Sequence, residues 1–180
     1  EMLPEHEYIC TDGGIYRWDE GNVTVSIDAR NFEKAAQSAL ATGKKEELCH
    51  ACSLYYGEFL FQMTGEKWVN VIGVKYQELY FKCLRLASRL LKADREYDRL
   101  LNLSTAASKL YPYEECQMMK LDCLIALKRY QEAMEVYKQV VVQYFEEQGL
   151  PPSETMLQRF RLMSGQISYT SDMLKDIENT

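Results

Sequence analysis

The chain has 180 residues, 47% of them hydrophobic and 27% charged, and 21 Lys+Arg stand against 27 Asp+Glu for a formal net charge of −6. That apolar content excludes intrinsic disorder, and no uninterrupted apolar run approaches the ~18 residues of a membrane-spanning helix. The acidic balance argues against a chain that grips nucleic acid by itself, because phosphate binding needs clustered Lys and Arg.

The charge is unevenly placed. Residues 1–27 hold Glu1, Glu5, Glu7, Asp12, Asp19 and Glu20 against Arg17 alone, so the acidity belongs to the head and the body is close to neutral. The head reads as β structure. Tyr8-Ile9-Cys10-Thr11 and Ile15-Tyr16-Arg17-Trp18 flank Asp12-Gly13-Gly14, where glycine supplies the positive φ of a hairpin turn. Asp19–Asn22 predicts a second turn, and Val23–Ile27 alternates apolar and polar as a half-buried strand does.

From Asp28 the period becomes helical. Asp28 is the expected N-cap of a helix whose Phe32, Ala35, Ala36, Ala39 and Leu40 share one face, with Gly43 as its stop. A second helix is predicted over Lys45–Tyr56, ending at Gly57, followed by the apolar connection Phe59–Gly65. A long helix is predicted over Trp68–Ala93, with Trp68, Tyr76, Leu79, Cys83, Leu86 and Leu90 as a core stripe. Four more follow over Arg95–Leu110, Tyr113–Leu127, Tyr130–Gln148 and Ser153–Gln166. Pro112 ends the first of these, Gly149, Pro151 and Pro152 precede the last, and Ser153 is its natural N-cap. The short connection Lys128-Arg129 makes its two helices antiparallel neighbours. Residues 168–180 read as a polar tail or linker, with a short turn at Asp172–Ile177.

The start lacks a basic n-region and an apolar h-region, and Cys49, Cys52, Cys83, Cys116 and Cys123 lie in helical, apolar surroundings, so the thiols are expected to be reduced and the chain cytoplasmic. Because it opens on Glu1 rather than Met, we expect it to be a piece of a longer protein. Cys49-His50-Ala51-Cys52 has the spacing of a zinc or redox pair, but a structural zinc needs four ligands and no second pair exists. Two small residues facing a core explain it as well, and bound zinc or a reactive Cys49 is what the other reading demands. No catalytic Ser–His–Asp or Cys–His–Asn set is suggested near His6 or His50, so no enzyme, cofactor or metal is expected.

Tyr97 and Tyr130 open two helices 33 residues apart, close to the ~34-residue period of tetratricopeptide-type helix pairs. Such pairs cannot bury their own apolar faces and stack to share a core. Ser88 takes the small-residue position of close approach, Pro112 the closing proline, and Tyr130, Ala133 and Tyr137 the aromatic–small–aromatic pattern. Leu100 and Leu121 stand where smaller residues are usual, so the repeats are degenerate. The predicted fold is mainly α: about seven helices in antiparallel, tetratricopeptide-like pairs after a short β-hairpin or meander.

Tyr55-Tyr56-Gly57-Glu58-Phe59-Leu60, Trp68, Tyr97, Tyr111-Pro112-Tyr113-Glu114-Glu115, Tyr130–Tyr137 and Gly149-Leu150-Pro151-Pro152-Ser153-Glu154-Thr155 together resemble the bacterial transcriptional activator domain of antibiotic-regulatory-protein-type regulators. The resemblance covers roughly Ile27–Ile167, assigned here as residues 28–167. It implies that residues 1–27 are the end of a winged-helix DNA-binding domain whose reading surface lies upstream, and that Gly57, Trp68, Tyr97, Pro112, Tyr130, Ala133, Tyr137, Gly149 and Pro152 are structural positions. It implies protein partners: self-association, RNA polymerase, or a sensory domain of the same chain. DNA would be reached only through the upstream domain, and no membrane is involved. A general tetratricopeptide-type adaptor that docks peptides of a chaperone or secretion partner is the alternative. Lys82, Arg85, Arg89 and Lys92 are spaced 3, 4 and 3, so they share one helix face. With Phe81 first in the repeat frame they fall where such helices line a groove, which makes them the candidate partner-binding residues; a solvated face is the plain alternative.

Overall fold

A computed structural model describes residues 9–18, 26–63, 65–149 and 151–178, without side chains at the hairpin stems and towards the ends of the last two helices. Strands β1 (Ile9–Asp12) and β2 (Ile15–Trp18) form an antiparallel hairpin with Ile9 opposite Trp18. Gly13 and Gly14 turn it with φ of 58° and 81°, the pair of positive values that a two-residue hairpin loop requires. The expected turn at Asp19–Asn22 and most of the expected strand Val23–Ile27 lie outside the described residues. Ile27 itself is the extended residue that caps the first helix rather than part of a strand.

Seven helices follow: α1 (Asp28–Thr42), α2 (Lys45–Ser53), α3 (Lys67–Ala93), α4 (Tyr97–Leu110), α5 (Glu114–Ala126), α6 (Tyr130–Gln148) and α7 (Glu154–Glu178). They pack as pairs α1/α2, α3/α4 and α5/α6, and α1 packs on α3 and α5 on α7 across the pairs. One shared core runs through all of them. Ala36, Ala39, Ala51, Ala87, Ala107 and Ala133 are fully buried, and their small side chains let the helix axes approach.

The repeat is visible in the turns. After α3, the amides of Asp94, Arg95 and Glu96 donate to the carbonyls of Leu90, Lys92 and Leu91 at 3.0, 3.1 and 2.9 Å. After α5, Leu127, Lys128 and Arg129 donate to Cys123, Ile125 and Leu124 at 2.9, 3.0 and 2.8 Å, the same three bonds shifted by 33 residues. Both are Schellman closures with a left-handed residue at their centre. That residue is Arg95 or Lys128, each at φ 59°, where glycine would be unstrained. Arg95 is thus spent on the turn, which is why α4 begins at Tyr97 and not at Arg95.

Other boundaries also differ from expectation for local reasons. Asp28 is the first helical residue, and its carboxylate accepts from the Ala29 amide at 2.7 Å. The second helix stops at Ser53, where the Ser53 hydroxyl and the Leu54 amide both turn back to the His50 carbonyl at 2.7 and 3.3 Å and tighten the last turn. The expected tail is helix. The Ser153 hydroxyl caps α7 by accepting from the Met156 amide at 3.3 Å, and α7 then runs to Glu178, through the boundary drawn at residue 168. Met173, Leu174, Lys175 and Glu178 are good helix formers and no proline interrupts them, so polarity alone was a poor stop signal.

Aromatic rings fill the seam between the first two pairs. Tyr55, just past α2, stacks on Tyr80 at 4.5 Å and sits 4.9 Å from Phe32. Its hydroxyl shares a buried 2.6 Å hydrogen bond with that of Tyr111, just past α4. Tyr111 in turn lies 5.3 Å from Phe81.

Two outcomes follow for stability. We expect Arg95→Gly and Lys128→Gly each to raise it by about 0.5–1 kcal/mol in urea unfolding, relief of the left-handed strain outweighing glycine's entropy; destabilisation by either would refute the turn assignment. Tyr55→Phe should cost about 1–2 kcal/mol by orphaning the Tyr111 hydroxyl. The double variant Tyr55→Phe/Tyr111→Phe should then cost clearly less than the two single changes added, as a double-mutant cycle would show.

Candidate partner-binding face

The four basic residues of α3 share its exposed side, as the spacing predicted, but they do not form one row of free charge. Residues seven apart nearly superpose on a helix, so the set divides into two flanks. Arg85 and Lys92 face α5. The Arg85 guanidinium donates to both oxygens of Glu115 at 2.6 and 2.7 Å, and its plane lies 5.6 Å from the Phe81 ring. The Lys92 ammonium lies 3.4 Å from Asp122, which also accepts from Arg159 of α7 at 3.1 Å. Glu115 and Asp122 are themselves seven apart, so two α5 carboxylates meet two α3 cations in register.

Lys82 and Arg89 occupy the other flank. Both are exposed, and among the described residues neither has a carboxylate within ion-pair distance. The cause is legible in α1, the helix on that side. Its Glu33 pairs with Lys75 at 2.5 Å near the start of α3, and from Lys34 to Thr42 it carries no acid. Unpaired cations and paired cations thus alternate along one helix.

The same exposed side of α3 is apolar nearer its N-terminus. Val71 and Val74 are 70% and 55% exposed, and Trp68, one turn earlier, is 49% exposed. Trp68 was expected in the core stripe. It instead lies half-exposed in the first turn of α3, edge-on to Phe59 at 6.3 Å, while its neighbour Val69 and Tyr76 and Cys83 of that stripe are buried. Between Val74 and Arg85 a cleft of about 470 Å³ is lined by Gln77, Glu78, Phe81, Lys82, Tyr113 and Glu115. Gln77 donates to the Tyr113 hydroxyl at 3.0 Å, and Tyr113 stacks on Phe81 at 5.9 Å, which fixes the cleft's far wall.

The motif positions lie elsewhere. Gly57 leaves α2 at φ 145° and Gly149 follows α6 at φ 62°, both values that favour glycine. Tyr97 and Tyr130 open α4 and α6, Pro112 is exposed just before α5, Pro152 is half-buried before α7, Ala133 is fully buried, and Tyr137 stacks on Phe160 at 5.0 Å. Cys49 and Cys52 sit on α2 beside the core, and burial pushes both thiols up, which disfavours the thiolate that metal binding or redox attack needs. His50 between them is exposed. No group of three or more metal-ligating side chains exists among the described residues, and no described helix is long and apolar enough to cross a membrane.

These features define a tetratricopeptide-like helical-repeat protein that displays exposed apolar and basic residues on one side of α3. The chain belongs to the bacterial transcriptional activator domain family, whose model matches residues 27–161. No curated protein and no solved structure matched the chain.

Glu115 also gives a pH signature. The Arg85 hydrogen bonds hold its carboxyl below the usual carboxylate range, against an opposing push from burial. A lowered folded-state pKa contributes stability that is complete above the unfolded value of about 4.3 and is lost as pH falls through the folded value. We therefore expect Glu115→Gln to be less stable than the parent at neutral pH, with a gap that narrows in thermal melts as the pH falls below about 5. A pH-independent gap would mean that the Arg85–Glu115 pair contributes nothing.

Proposed function

We propose that this chain is the protein-contacting module of a bacterial transcriptional regulator, with DNA reading supplied by a winged-helix domain upstream of it. It acts by contact and not by chemistry, and its partner is a second copy, RNA polymerase or a sensory domain of the same protein. Membership of the activator-domain family supports the regulatory setting. The observation that carries the contact role is the exposed strip on α3, where Lys82 and Arg89 lack the carboxylate partners that Arg85 and Lys92 have. A solvated face tends to pair its charges with neighbours when they are in reach; this one leaves two cations on a helix that exposes Val71 and Val74 nearer its N-terminus. The family setting favours this reading over a general peptide adaptor. The near-neutral body and the acidic head support an absence of DNA contact by the chain itself.

The test couples two measurements. The isolated chain should leave a labelled DNA duplex unshifted at physiological salt, and the chain fused to an unrelated DNA-binding domain should activate a bacterial reporter promoter. Lys82→Glu/Arg89→Glu should remove that activation without altering the thermal melt. Arg85 is the wrong residue to reverse, since its loss also strands Glu115. An inert fusion, or one indifferent to the double reversal, would sink the proposal.

A further inference from the structure

We propose that a cavity beside the loop between α2 and α3 is a binding site for a small organic cation of the quaternary-ammonium class. This goes beyond the protein-contact reading and does not rest on it. The cavity, of about 500 Å³, lies between that loop and the first turn of α1. A volume of ~300–1,000 Å³ is usual for small-molecule sites. Six aromatic rings line it. Phe32, Tyr55 and Tyr76 form its buried floor, Phe59 is half-buried, and Tyr56 and Phe61 are 75% and 65% exposed at its rim.

The rings stand as walls and not as a parallel stack. Phe59 meets Tyr76 edge-on at 5.4 Å, Tyr76 meets Phe32 edge-on at 6.1 Å, and Phe32 is tilted by 56° to Tyr55. The rim is held in an unusual backbone. Leu60 sits at φ 45°, in the region that favours glycine. Its carbonyl accepts from the Met63 amide at 2.7 Å, which closes the short turn that carries Phe61. Such strain persists only where the surroundings over-determine it.

The lining chemistry selects the ligand. Its charged side chains are Asp28 and Glu58, and no basic side chain is among the described residues that line it. The Asp28 carboxylate accepts from the Ala29 amide and so offsets the positive end of α1, while exposed Glu58 supplies the remaining negative charge. The buried hydroxyls are committed: that of Tyr55 to Tyr111, and that of Tyr76, which donates to Glu33 at 3.3 Å. What is left is ring surface with its negative faces, together with a carboxylate. A cation wrapped in methyl groups suits both, since it is attracted to ring faces within ~6 Å while its methyls meet apolar surface. A metal ion is poorly served, because no group of three or more ligating side chains exists among the described residues. An anion would meet acids alone. The protein's own cations near by are otherwise placed. Lys75 is bonded to Glu33, and Arg30 is two residues from Phe32, about 200° round α1 and so on its far side.

The experiment is isothermal titration calorimetry on the full 180-residue chain at low salt. The probes are choline and its neutral isostere, the dimethylbutanol in which carbon replaces the ammonium nitrogen. We expect saturable choline binding, about tenfold or more tighter than that of the isostere. Tyr56→Leu and Phe61→Leu should each weaken it by about threefold or more, and Tyr56→Phe should leave it unchanged, because the ring face and not the hydroxyl holds the cation. Glu58→Gln should weaken it too, by a margin that shrinks as salt is raised. All three positions are exposed, and if the melt of one leucine variant shows unfolding, the other carries the test. Absence of saturable choline binding overturns the proposal, as does equal binding of the isostere. Indifference to both leucine changes overturns it as well, and so does a loss in Tyr56→Phe as large as that in Tyr56→Leu. None of these outcomes touches the reporter fusion, whose dependence on Lys82 and Arg89 tests the contact reading separately.

Discussion

The hydrogen bond between the Tyr55 and Tyr111 hydroxyls sets the geometry on which the rest of the molecule depends. Each tyrosine ends the second helix of a pair, and the bond ties those two ends together across the middle of α3. Between them Tyr80 stacks on Tyr55 and Phe81 packs on Tyr111, so α3 is gripped at its centre. A bonded hydroxyl pair can be buried where a single one could not, because an unpaired polar group in a dry seam costs more than the bond contributes. α3 has 27 residues and α4 only 14, so its first turns pack on other neighbours. Val69 is buried there, while Val71 and Val74 are exposed because they lie on the outward side of the same turns.

Charge placement follows from the same stacking. First helices of successive pairs lie side by side, and their flanks meet at a fixed sequence offset. Arg85 to Glu115 and Lys92 to Asp122 are both separated by 30 residues, and Asp122 passes the ladder on to Arg159 of α7. A second polar cluster closes the opposite end of the first two pairs: Lys45 bonds both Asp94 and Glu96, and Arg99 bonds both Glu96 and Glu46. These bonds contribute little individually, but together they help to fix the register between repeats.

Much of this architecture could be read from the residues. The hairpin turn at Gly13-Gly14, the change to helical period at Asp28, the break at Pro112 and the cap at Ser153 each depend on a local rule, and each stands in the structure. The family was legible from the joint order of its motif blocks. What sequence could not supply was long-range. Trp68 fits the helical stripe by period, yet it is exposed while Val69 beside it is buried, so which side of the first turn meets the fold is set by tertiary packing and not by period. Likewise the division of the basic stripe needed the partner helix. The heptad spacing of Glu115 and Asp122 was the available signal, and it becomes meaningful only once α3 and α5 are known to be neighbours. The extra turns of α7 were missed because polar residues in a row look like a tail, although helix propensity does not distinguish them from an exposed helix.

In a stacked helical array the next repeat places a helix within reach of some first-helix charges, as α5 does for Arg85 and Lys92, while Lys34, Lys67 and Lys120 have no carboxylate within ion-pair distance among the described residues. A cation stays without a carboxylate where neither neighbouring helix presents an acid on its flank. That condition holds for Lys82 and Arg89: α5 supplies its acids to the other flank, while α1 turns to Ala, Gln, Ser and Thr beyond Lys34. It does not hold for Lys75, which α1 satisfies through Glu33. The same sequence that closes the ladder at one level opens it at the next, and the opening coincides with the α3 side that carries Val71 and Val74. Degeneracy of the repeat therefore has a physical meaning here. The departures in α1 leave one flank of α3 without internal charge partners, while α5 supplies them to the other.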